Sequence, residues 1–70
     1  MNSVILTVST PTYAIKAKRI LRNIGINTEV VKVDTSNGCT HGIKFSDRYF
    51  YDVISMLREK NISYRVYETK

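Results

Sequence analysis

A repeat between the two halves of the chain constrains the fold more than any other feature of the sequence. Residues that recur after a spacing of 36 positions are Tyr13 and Tyr49, Leu21 and Leu57, Arg22 and Arg58, Ile26 and Ile62, and Val30 and Val66. A chain of 70 residues supports only one small hydrophobic core. The two copies are therefore expected to be halves of one domain.

The first half has the pattern of a strand, a helix and a second strand. The segment SVILTVS alternates with period two, as in a strand with a buried face. In STPTYAIKAKRILRNIG the period becomes helical, with Ser9 or Thr10 as the cap and Pro11 in the first turn. Gly25 can end this helix in a left-handed conformation, with Ile26 packed against it. The helix residues expected to face the core are Tyr13, Ala14, Ala17, Ile20, Leu21 and Ile24. The β-branched segment NTEVVKV predicts the second strand.

The second half repeats this order. The segment DTSNG has turn residues, and GIKFS after it predicts a third strand. Ser46 or Asp47 can cap a second helix, Asn61 can end it, and ISYRVYE predicts a fourth strand. The second-helix residues expected in the core are Tyr49, Phe50, Val53, Met56 and Leu57, with Ile54 at the margin.

The predicted order βαββαβ, with right-handed crossovers, indicates an α+β fold of the ferredoxin-like type. We expect a four-stranded antiparallel sheet with two helices on one face, and a single ferredoxin-like domain over residues 1–70. Because this fold serves enzymes, carriers, RNA-binding domains and regulatory domains, function has to be inferred from a site.

Composition excludes several classes of partner. No apolar run is long enough to span a bilayer, and the segment MNSVILTVST lacks the basic region of a signal peptide, so we expect a cytoplasmic protein without a membrane partner. The net charge of +5 can attract an anionic partner. The predicted strands lack the paired aromatic residues that stack on RNA bases, which disfavours nucleic acid. One cysteine and one histidine cannot form a closed zinc site, so no metal is expected unless subunits share it, and no other cofactor is expected.

The segment TSNGCTHGI contains the only cysteine and the only histidine, Cys39 and His41. In the predicted topology this hairpin lies at the same end of the sheet as the start of the first helix. Cys39 is therefore expected to face the turn that contains Ser9, Thr10 and Thr12, where free N–H groups and the helix dipole would lower the pKa of its thiol. His41, two residues along the strand, is expected on the same face and could stabilise the thiolate or exchange a proton with it.

Neighbouring residues complete this candidate site. Gly38 and Gly42 would allow the backbone to approach the group on the sulfur, Thr40 supplies a donor, and Lys16 adds positive potential. A structural interpretation stays open, because free cysteines are commonly small buried apolar residues and SNG is an ordinary hairpin turn.

The chain resembles the selenium/sulfur carrier-like protein family along most of its length. The similar segments are TVSTPTYAIKAKRILRNIGI, the Ser/Gly-rich loop with a cysteine before GIKF, and VISMLREKNISYRVYE. The resemblance implies that the loop cysteine, Cys39 here, holds sulfur or selenium. In the family a glycine commonly follows the cysteine directly, whereas Thr40 and His41 precede Gly42 in this chain.

Two functions of different classes follow. In the first, Cys39 is a persulfide or perselenide carrier, loaded by a sulfurtransferase or cysteine desulfurase and unloaded by an acceptor enzyme. Lys18, Arg19 and Arg22, with Lys16, would then dock an acidic partner. The sequence has no constellation for independent catalysis, which favours a carrier over an enzyme. In the second, the chain is a non-catalytic interaction or regulatory module with a structural cysteine, binding a protein, small ligand or nucleic acid and able to form a homodimer through its sheet.

Overall fold

Four antiparallel strands form one open sheet in the computed structural model, which describes residues 2–35 and 38–69. The elements are β1 (Ser3–Val8), α1 (Pro11–Asn23), β2 (Glu29–Thr35), β3 (Gly38–Ser46), a 3-10 turn (Asp47–Tyr49), α2 (Phe50–Glu59) and β4 (Tyr64–Thr69). The strand order across the sheet is β2-β3-β1-β4. This arrangement confirms the ferredoxin-like α+β fold, with the predicted order of strands and helices.

The core lies between the two helices and one face of the sheet. In β1, buried residues alternate with half-buried ones, as expected for a strand with one covered face. Leu6 of β1 pairs with Ile43 of β3, so both side chains point to the helices. The buried residues of this core are Val4, Leu6, Val8, Ala14, Ala17, Leu21, Ile26, Ile43, Phe45, Val53, Leu57 and Ile62.

The end of α1 is a Schellman motif. The Ile26 N–H donates to the Leu21 carbonyl oxygen at 2.9 Å, and the Gly25 N–H donates to the Arg22 carbonyl oxygen at 3.1 Å. Gly25 has a φ of 85°, a left-handed conformation that glycine adopts without the steric cost of a Cβ atom. The apolar contact of this motif brings Leu21 and Ile26 into the core, as the sequence predicts.

The end of α2 repeats these contacts. The Ile62 N–H donates to the Leu57 carbonyl oxygen at 2.8 Å, and the Asn61 N–H donates to the Arg58 carbonyl oxygen at 3.1 Å. Asn61 is in the left-handed region, with a φ of 58°. The repeat in the sequence is therefore mainly a repeat of helix ends, since the matched residues make the same backbone hydrogen bonds in both halves.

The two helices begin differently. Thr10 caps α1, because its Oγ1 accepts a hydrogen bond from the Tyr13 N–H at 3.2 Å. The prediction that Ser46 or Asp47 caps the second helix is wrong. Neither position makes a side-chain cap bond there, and a 3-10 turn comes before the α-helical part. The Asp47 N–H donates instead to the Asn2 carbonyl oxygen at 3.0 Å, which joins this turn to the start of the chain.

The buried arc of α1 is narrower than predicted. Ala14, Ala17 and Leu21 are fully buried, whereas Tyr13 is 39% exposed and Ile24 is 50% exposed. Ile24 is the C-cap residue of α1. Its φ of −106° and ψ of 15° are not helical, so helical spacing does not determine where its side chain points. In α2, Val53 and Leu57 are buried, and the other expected core residues pack against them with part of their surface exposed. No helix in the described ranges has the length and apolar character needed to cross a membrane.

Candidate functional site

The β2–β3 hairpin presents the single cysteine at the end of the sheet. Cys39 is the second residue of β3 and lies directly opposite Asp34 of β2, next to the pair formed by Thr35 and Gly38. Its side chain is exposed and its thiol is free. Residues 36 and 37, at the tip of the predicted turn, lie outside the described residues. The hairpin therefore holds an accessible thiol one residue pair from the turn.

Strand register places Cys39 at the same end of the sheet as the start of α1. Val8, the last residue of β1, pairs with His41. Cys39 comes two residues before His41 in β3 and therefore lies beyond the end of β1. At this level the chain passes through Ser9 and Thr10 into α1. The Thr40 hydroxyl donates to the Val8 carbonyl oxygen at 3.2 Å and joins the hairpin to the end of β1.

The thiol has a carboxylate as its hydrogen-bond partner. Cys39 Sγ donates to Asp34 Oδ1 at 3.0 Å. This hydrogen bond, together with the negative charge of Asp34, raises the pKa of the Cys39 thiol above its ordinary value. The sequence predicts a pKa lowered by the helix dipole, and the direction differs because the carboxylate directly contacts the sulfur.

Sequence reasoning missed Asp34, although the sequence contained a signal for it. If the strands before and after the turn pair through a tight hairpin, the residues that flank TSNG must lie opposite each other. Those residues are Asp34 and Cys39. An acidic residue opposite the lone cysteine was thus available from register alone.

The backbone of Asp34 is also held by a side chain from the far edge of the sheet. The Tyr67 hydroxyl donates to the Asp34 carbonyl oxygen at 3.2 Å. Tyr67 lies at an irregularity of β4, where Leu6 pairs with Val66 but Ile5 pairs with Glu68. A bulge of this kind commonly redirects a side chain. Here the residue at the bulge is Tyr67, and its side chain reaches Asp34.

Comparison with known protein families shows to which family the chain belongs. The family described as "Putative Se/S carrier protein-like" matches residues 3–68, from the first residue of β1 almost to the end of β4. The chain belongs to this Se/S carrier-like family. A search of curated proteins and a search of solved structures each find no match. The matched range includes the whole β2–β3 hairpin, so the cysteine and its carboxylate partner lie inside the family domain.

In this Se/S carrier-like domain, His41 lies on the same face of β3 as Cys39 and Ile43. It is half-buried, between Val8 of β1 and Lys32 of β2. Within the described residues the imidazole makes no hydrogen bond, and the thiol donates to Asp34. The proton exchange between His41 and Cys39 expected from the sequence stays a prediction.

The two glycines of the candidate site have separate structural causes. A Cβ atom on Gly42 would lie 2.5 Å from the Leu6 carbonyl oxygen, so the close approach of β3 to β1 requires glycine there. Gly38 has a φ of 115°, a backbone conformation that residues with a side chain rarely adopt. Both glycines are thus explained by backbone geometry, and their role in accommodating a group on the sulfur stays a prediction.

The predicted docking residues form the exposed basic face of α1. This face consists of Lys16, Lys18, Arg19 and Arg22, and the helix sequence contains no acidic residue. In the part of the chain that the structure describes, none of these four side chains forms an ion pair. Thr12, Ile15, Lys16 and Arg19 line a shallow cleft of 230 Å³ on this helix, and Ile15 is 50% exposed. The basic face therefore combines uncompensated positive charge with one apolar side chain.

A metal ion needs several donor side chains close together. Among the described residues, no three or more His, Cys, Asp or Glu side chains lie close enough together to hold a metal ion. The site consists of a thiol, a carboxylate and the hydrogen bonds that position them.

Proposed function

We propose that this chain is a sulfur or selenium carrier, which holds the atom on Cys39 as a persulfide or perselenide and passes it to an acceptor enzyme. The observation that carries the proposal is an exposed, lone thiol on the β2–β3 hairpin of a Se/S carrier-like domain. A carrier needs an accessible nucleophile rather than a deep pocket. A cytoplasmic location would suit it, because a single thiol stays reduced there.

The transfer chemistry requires only one nucleophilic group on the carrier. The Cys39 sulfur attacks the outer sulfur of a donor persulfide, a new S–S bond forms on Cys39, and the donor leaves as a thiol with the proton that Cys39 gave up. Unloading is the same exchange with an acceptor thiol as the attacking group. No oxidant or reductant is consumed, so a domain without a catalytic constellation can perform both steps.

The basic face of α1 is proposed to dock the donor and the acceptor. Four positive side chains on a helix whose own sequence contains no acidic residue raise the local potential, which favours association with an acidic protein surface. The helix starts at the end of the sheet that also presents Cys39. A sulfurtransferase or cysteine desulfurase bound there would have its persulfide near the hairpin.

Intact-mass spectrometry tests the proposal. The protein purified from cells without reductant should carry an adduct with the mass of one sulfur or selenium atom, and the Cys39→Ser variant should have none. Ser is close in size to Cys and the site is exposed, so the variant should fold with an unchanged circular dichroism spectrum. An unmodified wild-type mass, both from cells and after incubation with a persulfide donor, would contradict the carrier role.

The second candidate is a non-catalytic interaction module, favoured by apolar exposure on the edge strand β4. Val66 is 50% exposed and Tyr67 is 45% exposed on this strand, and among the described residues no strand pairs with its outer edge. Such an edge can pair with a second copy. Sedimentation equilibrium of wild type and Val66→Lys tests this candidate, because an edge-paired dimer should dissociate in the variant. An interaction module without a carrier role also requires that Cys39 takes up no sulfur from a persulfide donor.

A further inference from the structure

We propose that Asp34 biases the carrier toward release, because it stabilises the empty Cys39 thiol and destabilises the loaded persulfide. The inference rests on the proposed carrier function and assigns to Asp34 a direct effect on the reacting sulfur, which it contacts. It concerns how tightly sulfur is held, rather than whether Cys39 can accept it.

The contact depends on the hydrogen atom of the thiol. Asp34 Oδ1 lies 3.0 Å from Cys39 Sγ and accepts its hydrogen bond across the β2–β3 pair. A carboxylate without a proton is an acceptor only, so this bond exists only while the sulfur carries hydrogen. The empty carrier satisfies this condition at neutral pH.

Loading removes that hydrogen. In the persulfide, Sγ is bonded to carbon and to the outer sulfur, so it has nothing to donate to Asp34. The outer sulfur is more acidic than a thiol and carries negative charge at neutral pH. Asp34 then faces an anion instead of a donor, and like charges at short range repel. The same carboxylate thus acts in opposite directions on the two states.

Two sets of contacts position the backbone of Asp34 in the hairpin. Its carbonyl oxygen accepts from Tyr67, and its strand pairs with β3 from Glu29 to Thr35. The charged or titratable residues that follow on the same face of β2 and β3 are Lys32 and His41, which pair with each other. Both residues are the same in wild type and in every Asp34 variant, so a comparison between variants isolates the effect of the Asp34 carboxylate.

The equilibrium with glutathione persulfide and glutathione measures this bias. The full chain is equilibrated at a fixed ratio of the two compounds at pH 7.4, and intact-mass spectrometry gives the ratio of loaded to empty protein. In Asp34→Ala the ratio should rise roughly threefold to tenfold over wild type, in proportion to the loss of a charge-assisted bond at an exposed site. Asp34→Asn keeps an acceptor but loses the charge and should give an intermediate rise.

Matched variants exclude a merely structural effect. Asp34→Glu keeps the carboxylate and should restore most of the bias, whereas Asp47→Asn, an exposed acidic residue of the 3-10 turn, should equal wild type. Equal loading of wild type, Asp34→Ala and Asp34→Asn would overturn the inference while leaving the carrier role intact. Failure of every variant to accept sulfur would overturn the carrier role and the inference with it.

Discussion

Cys39 and Asp34 lie opposite each other on the two strands of the β2–β3 hairpin, and the thiol donates to the carboxylate at 3.0 Å. The protonated thiol is therefore the form that the folded domain favours. This relationship has consequences for both reactivity and stability, because the thiolate is the nucleophile in alkylation and in sulfur exchange.

The first prediction concerns the pH dependence of alkylation. Because Asp34 raises the pKa of the Cys39 thiol, the midpoint of the iodoacetamide rate against pH should lie above that of an unfolded peptide with the same cysteine. In Asp34→Ala the midpoint should fall toward the peptide value, and alkylation at pH 8 should become faster. A wild-type midpoint below that of the peptide would show that the helix dipole dominates over the carboxylate.

The same raised pKa should also make the free energy of unfolding depend on pH. A folded-state pKa that is raised above the unfolded value adds stability at pH values below the ordinary cysteine pKa. That contribution is lost as the pH rises through the raised pKa. Urea denaturation at pH 7 and pH 10 should show a larger alkaline loss of unfolding free energy for wild type than for Cys39→Ser, since the other ionisable groups are common to both.

The second prediction concerns Gly42. An added Cβ would lie 2.5 Å from the Leu6 carbonyl oxygen, a backbone atom that cannot move without separating β3 from β1. Gly42→Ala should therefore lower the free energy of unfolding by about 1–3 kcal/mol. Urea denaturation provides the measurement, with Ser55→Ala on the exposed face of α2 as a control that should change it by less than ~0.5 kcal/mol.

The third prediction uses the matched helix ends. Gly25→Ala adds a Cβ atom in the left-handed region and should lower the free energy of unfolding by about 1 kcal/mol, whereas Asn61 already carries a Cβ atom, so Asn61→Ala should lower it by less. Asn61→Gly should instead maintain or increase stability, because glycine adopts this φ without strain. Thermal unfolding of the three variants measures this order, and a Gly25→Ala variant as stable as wild type would contradict the role of the left-handed residue in the shared motif.

These helix ends also show how far the sequence predicts the fold. The hydrogen bonds from Ile26 to Leu21 and from Ile62 to Leu57 are local, so short-range patterns were sufficient to place both helix ends and the β-branched strands between them. The start of α2 was not predictable in this way. It depends on a bond between Asp47 and Asn2, two residues far apart along the chain.

The candidate site was likewise predictable only in part. The place of the cysteine at the end of the sheet follows from the order of elements, whereas its exposure is a finding of the structure. The partner of its thiol depends on hairpin register, and the reach of Tyr67 to the Asp34 carbonyl depends on an irregularity in β4 that no local pattern marks. Residue types alone suggested His41 as the partner, because they do not determine which side chains become neighbours across strands.

The last prediction tests whether Tyr67 supports the site. Tyr67→Phe removes only the hydroxyl that donates to the Asp34 carbonyl oxygen at 3.2 Å. At this exposed position the loss should lower the free energy of unfolding by about 0.5–1 kcal/mol. It should also shift the alkylation midpoint of Cys39 part of the way toward that of Asp34→Ala, because Asp34 is held less firmly.

The matched control is Tyr51→Phe, since Tyr51 is 82% exposed on α2 and makes no hydrogen bond within the described residues. Urea denaturation and iodoacetamide kinetics of the two variants give the comparison. If Tyr67→Phe and Tyr51→Phe behave alike in both measurements, the hydroxyl of Tyr67 does not position Asp34. If only Tyr67→Phe changes the reactivity of Cys39, the two edges of the sheet are coupled through Asp34 to the sulfur.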